Sequence, residues 1–164
     1  YIAERANVEP ENVTMVLTST TSMAGMVQIS GRIVETGLFR LDILGLDPKK
    51  VKYGAGYAPV MPVHPDEGIA MGRAEDALTY GGVTSYVVDE EEDVLSEIAE
   101  KAPSTNCKDY GKSSYEIYKA VDFDFTKIDP ALFAPAAISL TCAGTGATFT
   151  HGSINNEIIK RSCA

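Results

Sequence analysis

Apolar positions recur at helical spacing through Met26, Ile29, Ile33, Val34, Leu38, Leu41 and Leu44, and no proline falls between Ser22 and Leu46. This pattern predicts one long helix, capped by Ser22, with Gly37 as the point where it would be interrupted. Upstream, Tyr1 to Ala6 reads as the end of an amphipathic helix, stopped by Pro10-Glu11-Asn12, and the run Val13 to Leu17 suits a short buried strand. Lacking an initiating Met or a cap before Tyr1, the chain is expected to continue a longer polypeptide.

Downstream, Lys49 to Tyr57 reads as a strand ending in a Gly-rich turn, after which Pro59, Pro62 and Pro65 hold the backbone extended. Asp66 to Tyr80 reads as a helix with an acidic first turn, stopped by Gly81-Gly82, and Val83 to Val88 as an alternating strand. Glu90 to Asp93 opens a further helix, Ser113 to Val121 forms another, and Asp129-Pro130 punctuates an aromatic connection from Phe123 to Phe133. Ala137 to Cys142 and Ala147 to Thr150, separated by Gly144-Thr145-Gly146, predict a hairpin, and a last helix follows Ser153. Helices and strands interleave without a regular βαβ rhythm, so the expected class is α+β, in one layered domain over residues 1–164.

Charge narrows the function. Fourteen Lys and Arg face 23 Asp and Glu, a formal net charge of −9 over 164 residues, which argues against nucleic-acid or anionic-membrane binding. No stretch approaches the roughly 18 consecutive apolar residues of a membrane span, and a cytoplasmic location is expected. Cys107, Cys142 and Cys163 lack CxxC spacing, and His64 and His151 are isolated, so neither disulfides nor a metal site are signalled.

The most suggestive chemistry lies inside the long predicted helix, where polar Gln28, Arg32 and Glu35 interrupt the apolar pattern at spacings that share one face. From spacing alone, an exposed Arg-Glu pair of small energetic consequence is the favoured reading. Facing a cleft, the same pair becomes useful: the guanidinium keeps Glu35 ionised and able to activate water, and stabilises negative charge developing on oxygen. Gly54-Ala55-Gly56 is weak as a phosphate loop and reads better as a turn.

Several segments together resemble methenyltetrahydromethanopterin cyclohydrolases. They include Thr18 to Ser22 leading into Val27-Gln28-Ile29-Ser30-Gly31-Arg32-Ile33-Val34-Glu35-Thr36-Gly37, Val51 to Gly54, and Ala58-Pro59-Val60. Ala70-Met71-Gly72-Arg73, Tyr80-Gly81-Gly82, Asp109 to Lys112 and Lys127 to Pro130 with Phe133-Ala134-Pro135 complete the set. The resemblance covers the C-terminal half of the family pattern and implies a two-domain α+β enzyme with its site in the cleft between halves. It further implies a homotrimer without metal or tightly bound cofactor. The implied reaction is reversible hydrolysis of the methenyl tetrahydromethanopterin cation to the 5-formyl pterin, in one-carbon metabolism such as methanogenesis.

On this resemblance Glu35 matches the catalytic carboxylate, which takes a proton from the attacking water and returns it to the departing nitrogen, and Arg32 matches the arginine that tunes it. Gln28, Ser22, Lys52, Arg73 and Tyr80 are the further expected substrate contacts. Glu75 departs from the family pattern, which places Asn after the Met-Gly-Arg run. The alternative is a non-catalytic fragment or assembly module that lacks the second wall of the cleft.

Overall fold

The structure is a computed structural model that describes all 164 residues. Its centre is a four-stranded sheet in the order β1-β2-β3-β4, formed by β1 (Val51–Tyr57), β2 (Val83–Val88), β3 (Ala137–Cys142) and β4 (Thr148–Gly152). The β1/β2 and β3/β4 pairs are antiparallel and β2/β3 is parallel, with Val83 opposite Ala137 and Val88 opposite Cys142. A parallel neighbour requires a long crossover, and the chain between β2 and β3 provides one that includes α5 (Glu92–Lys101) and α6 (Ser114–Ala120).

Strand alternation decides which face is covered. Thr84, Tyr86 and Val88 of β2 and Ile138, Leu140 and Cys142 of β3 are buried, and most of them join Leu41, Leu46, Leu95, Ile98 and Ala99 in the main core. On the other face, half-buried Ser139 pairs with Thr150 and Thr141 with Thr148 through hydroxyl hydrogen bonds of 2.8 Å. The fold is therefore a two-layer α+β domain, as the pattern predicts.

Helices α1 (Ile2–Ala6), α2 (Met23–Ser30), α3 (Ile33–Ile43), α4 (Glu67–Gly81) and α7 (Asn156–Cys163) complete the chain. Three expectations are corrected. The long helix from Ser22 to Leu46 is two helices, broken at Gly31-Arg32, where Arg32 adopts φ −84° and ψ 5°. Gly37 causes no interruption. It lets α3 press on the sheet, because a Cβ there would lie 2.0 Å from the Tyr86 hydroxyl. The hydroxyl itself donates to the Val34 carbonyl at 2.7 Å, tying α3 to β2.

Val13 to Leu17 forms no strand and joins no sheet, and Met15, Val16 and Leu17 are exposed. Local β propensity is not enough for a strand without a partner edge. The last helix starts at Asn156, later than Ser153, because the Asn155 side chain caps it by accepting from the Ile158 N–H.

The second layer positions the site. Met26 of α2, Ala70, Ala74 and Ala77 of α4, and Met61 from the proline-rich loop form a separate apolar cluster. Small alanines on α4 allow α2 to approach it closely. No helix is long and apolar enough to cross a membrane.

Candidate functional site

The break between α2 and α3 is what builds the site. Ending one helix at Ser30 and starting the next at Ile33 puts Arg32 at the entry of α3 and Glu35 in its first turn. A carboxylate there is favoured by the unpaired N–H groups of a helix start. The Arg32 guanidinium grips it with two hydrogen bonds, Nε to Oε2 at 2.9 Å and Nη2 to Oε1 at 2.6 Å. These bonds, backed by the guanidinium charge, hold the Glu35 carboxyl below its ordinary range.

The pair opens on a pocket of about 330 Å³. Ile29, Thr36 and Phe39 come from the α2–α3 side, Met71, Ala74, Glu75 and Leu78 from α4, and Phe133 from the connection before β3. Phe39 and Phe133 meet edge to face at 6.5 Å. The lining is mostly apolar, with Arg32, Glu35 and Glu75 as its charged groups. An apolar pocket with a few convergent polar groups is the usual form of a small-molecule site. The pair sits at its mouth, with the side chains of Arg32 and Glu35 51% and 63% exposed.

The other expected contacts lie elsewhere. Gln28 is exposed and does not line the pocket, because the break at Gly31 removes the single-helix geometry that would align it with Arg32 and Glu35. Ser22 caps α2, accepting from the Gly25 N–H at 3.1 Å and donating to the Ser19 carbonyl. Lys52 pairs with Asp89 at 3.0 Å across the first two strands. Tyr80 is fully buried, its hydroxyl donating to the Lys112 carbonyl and accepting from the Gly111 N–H.

Arg73 is buried and lines a different pocket, with His64, Asp76 and Arg161, while the α4 residues of the first pocket fall on other positions of the helix. No cluster of His, Cys, Asp and Glu is arranged to hold a metal ion. His64 accepts the Asp66 N–H at 3.0 Å in the helix-entry turn. Gly54 lies in β1, packed over the Tyr86 ring, and so forms no anion-cradling turn.

Glu75 is the group that sequence reasoning placed least well, noting it only as a departure from a pattern. Its signal was present in its position four residues after Met71 and three before Leu78, on one face of α4.

The family model described as Cyclohydrolase (MCH) matches residues 1–163. The chain belongs to the cyclohydrolase family. It is 44% identical over 163 residues to the methenyltetrahydromethanopterin cyclohydrolase of Methanothermobacter marburgensis, covering 98% of this chain and 51% of the relative. The enzyme of the same name from Methanocaldococcus jannaschii is 42% identical over 164 residues, and that from Methanococcoides burtonii 41% over 163, each covering 99% of this chain and 51% of the relative. This cyclohydrolase chain thus spans about half the length of the curated relatives it matches.

Proposed function

We propose that the chain carries the water-activating residues for reversible hydrolysis of 5,10-methenyltetrahydromethanopterin to 5-formyltetrahydromethanopterin, as its relatives' name suggests. The observation that carries this reading is the bidentate Arg32-Glu35 pair at the mouth of an apolar pocket. The methenyl carbon lies between two nitrogens as a cation, so water must lose a proton as it attacks. Glu35, ionised beside Arg32, takes that proton and favours the cation while it is bound. As the C–O bond forms, Arg32 steadies charge on the oxygen and keeps Glu35 oriented.

The apolar walls suit the flat faces of a pterin. In this reading the substrate is a small pterin, no cofactor is held tightly, no nucleic acid or membrane is involved, and the enzyme is a cytoplasmic homotrimer of one-carbon metabolism in methanogenesis. The expected contacts Gln28, Ser22, Lys52, Arg73 and Tyr80 all lie outside the lining of this pocket.

A second reading, a binding or assembly unit with an incomplete site, is favoured by the exposure of Arg32 and Glu35. A site open to water forfeits much of the advantage of oriented groups. Loss of methenyl pterin absorbance separates the two readings. The chain is assayed alone and mixed with the half of the M. marburgensis relative that it does not match. Turnover on mixing supports the split-cleft enzyme, turnover alone supports a complete site in this chain, and none in either leaves the assembly unit.

A further inference from the structure

The pocket holds a charged group to which the mechanism above gives no task. Glu75 reaches it from α4, among Met71, Ala74 and Leu78. Arg32 is the only cationic side chain in the lining, and both of its hydrogen bonds go to Glu35. Glu75 therefore has no cation bonded to it; its Oε1 lies 3.4 Å from the Thr79 hydroxyl, which also donates at the shorter distance of 3.0 Å to the Leu132 carbonyl.

The ionisable groups around Glu75 are Arg32 and Glu35 at the start of α3, Asp76 beside it on α4, and Tyr118 of α6. Burial and the neighbouring Asp76 charge push its carboxyl up to about 7, against the opposing pull of Thr79, Arg32 and Tyr118. The two carboxyl groups of one pocket are thereby pushed apart, Glu35 toward the anion and Glu75 toward the acid. Such divergence separates a base from an acid in one site.

We propose that Glu75 is the general acid of this site, handing a proton to the nitrogen that departs from the methenyl carbon while ionised Glu35 serves as the base. The proposal rests on the cyclohydrolase reading of the pocket. The C–O bond forms as one water proton passes to Glu35, giving a neutral hydroxy adduct. The C–N bond then breaks as the Glu75 proton moves to the nitrogen, and the hydroxyl proton leaves to solvent as the formyl carbonyl forms. Transfer of the Glu35 proton to Glu75 restores both groups, so cation and water yield the formyl product and one released proton.

The test uses the chain together with the complementary half of the M. marburgensis relative, comparing native, Glu75→Gln and Glu35→Gln forms across pH 5 to 9. Glutamine keeps a hydrogen-bonding group in place and removes only the transferable proton. Glu75→Gln is expected to lower kcat on the order of a hundredfold and abolish the loss of rate above about pH 7, with KM little changed. A native-like profile and kcat for Glu75→Gln, with Glu35→Gln inactive, would overturn the proposal and leave the cyclohydrolase reading standing. Unchanged turnover in Glu35→Gln would remove that reading itself.

An independent readout requires no turnover. Difference infrared spectra of the 164-residue chain, native minus Glu75→Gln, should show a carboxylic-acid carbonyl band at pH 6 that disappears by pH 8. Absence of that band at pH 6 would contradict a protonated Glu75.

Discussion

Gly37 and Tyr86 form the seat that sets the height of α3, and with it Glu35, above the sheet. Replacing Gly37 by Ala would put a methyl group 2.0 Å from the Tyr86 hydroxyl and 2.9 Å from its ring carbon. The ring has little room to retreat, because it is fully buried and a Cβ at Gly54 would already lie 3.0 Å from its other side. Overpacking of this kind costs about 2 kcal/mol, and displacing the hydroxyl forfeits its 2.7 Å bond to Val34, about 1 kcal/mol more. Alanine recovers about 1 kcal/mol of helix propensity. The expected net loss is therefore about 2 kcal/mol.

Tyr86→Phe alone should cost about 1 kcal/mol through the lost bond. It also removes the atom that the added methyl group would strike, so Gly37→Ala should cost less than about 1 kcal/mol in that background. Urea unfolding of the native chain, the two single variants and the double variant measures the coupling, expected at about 1 kcal/mol or more. Penalties that add within about 0.3 kcal/mol, or a Gly37→Ala chain as stable as the parent, would refute the close seating of α3.

Other outcomes follow from the same geometry. Arg32→Met should raise the Glu35 carboxyl toward its ordinary range, moving the acid limb of the rate profile to higher pH; an unmoved limb would show that Arg32 does not hold the anion. Glu75 titrates near 7 in the folded chain and at its ordinary 4.5 when unfolded, so its contribution to stability is complete below about 4.5 and is lost as pH rises through about 7. Glu75→Gln should accordingly stabilise the chain against the native form by about 3 kcal/mol more at pH 8 than at pH 4.5, which urea unfolding at both values would check. Ser113→Ala breaks the capping box with Glu116 at the start of α6 and should cost about 1 kcal/mol in the same assay.

Most of the fold was legible because the signals were local. The alternation in Val83–Val88, the glycines after Tyr80 and the Ser113 cap each act within a few residues, and each element is found in place. Val13 to Leu17 misled because a strand also needs a paired edge, which is a tertiary fact. The break at Gly31 was hidden by an apolar period that continues across it, while Gly37 drew attention although its role is contact with the Tyr86 side chain, far along the sequence.

At the candidate site the i, i+3 spacing of Arg32 and Glu35 was readable, and the pair forms as that spacing allows. The wall opposite was not, since it is brought up by the packing of α2 on α4 around Met26 and Ala74, residues far apart in sequence. Capping by Ser22 was readable because it is local, whereas burial of Tyr80 and the Lys52-Asp89 pair depend on neighbours distant in sequence.

The most direct test of the account is the decay of methenyl pterin absorbance catalysed by the chain with its complementary half, native against Glu35→Gln. A positioned base contributes on the order of a hundredfold or more, so the variant is expected to lose at least that factor in kcat. Turnover by Glu35→Gln at the native rate would contradict the assignment of the Arg32-Glu35 pocket as the site of water activation.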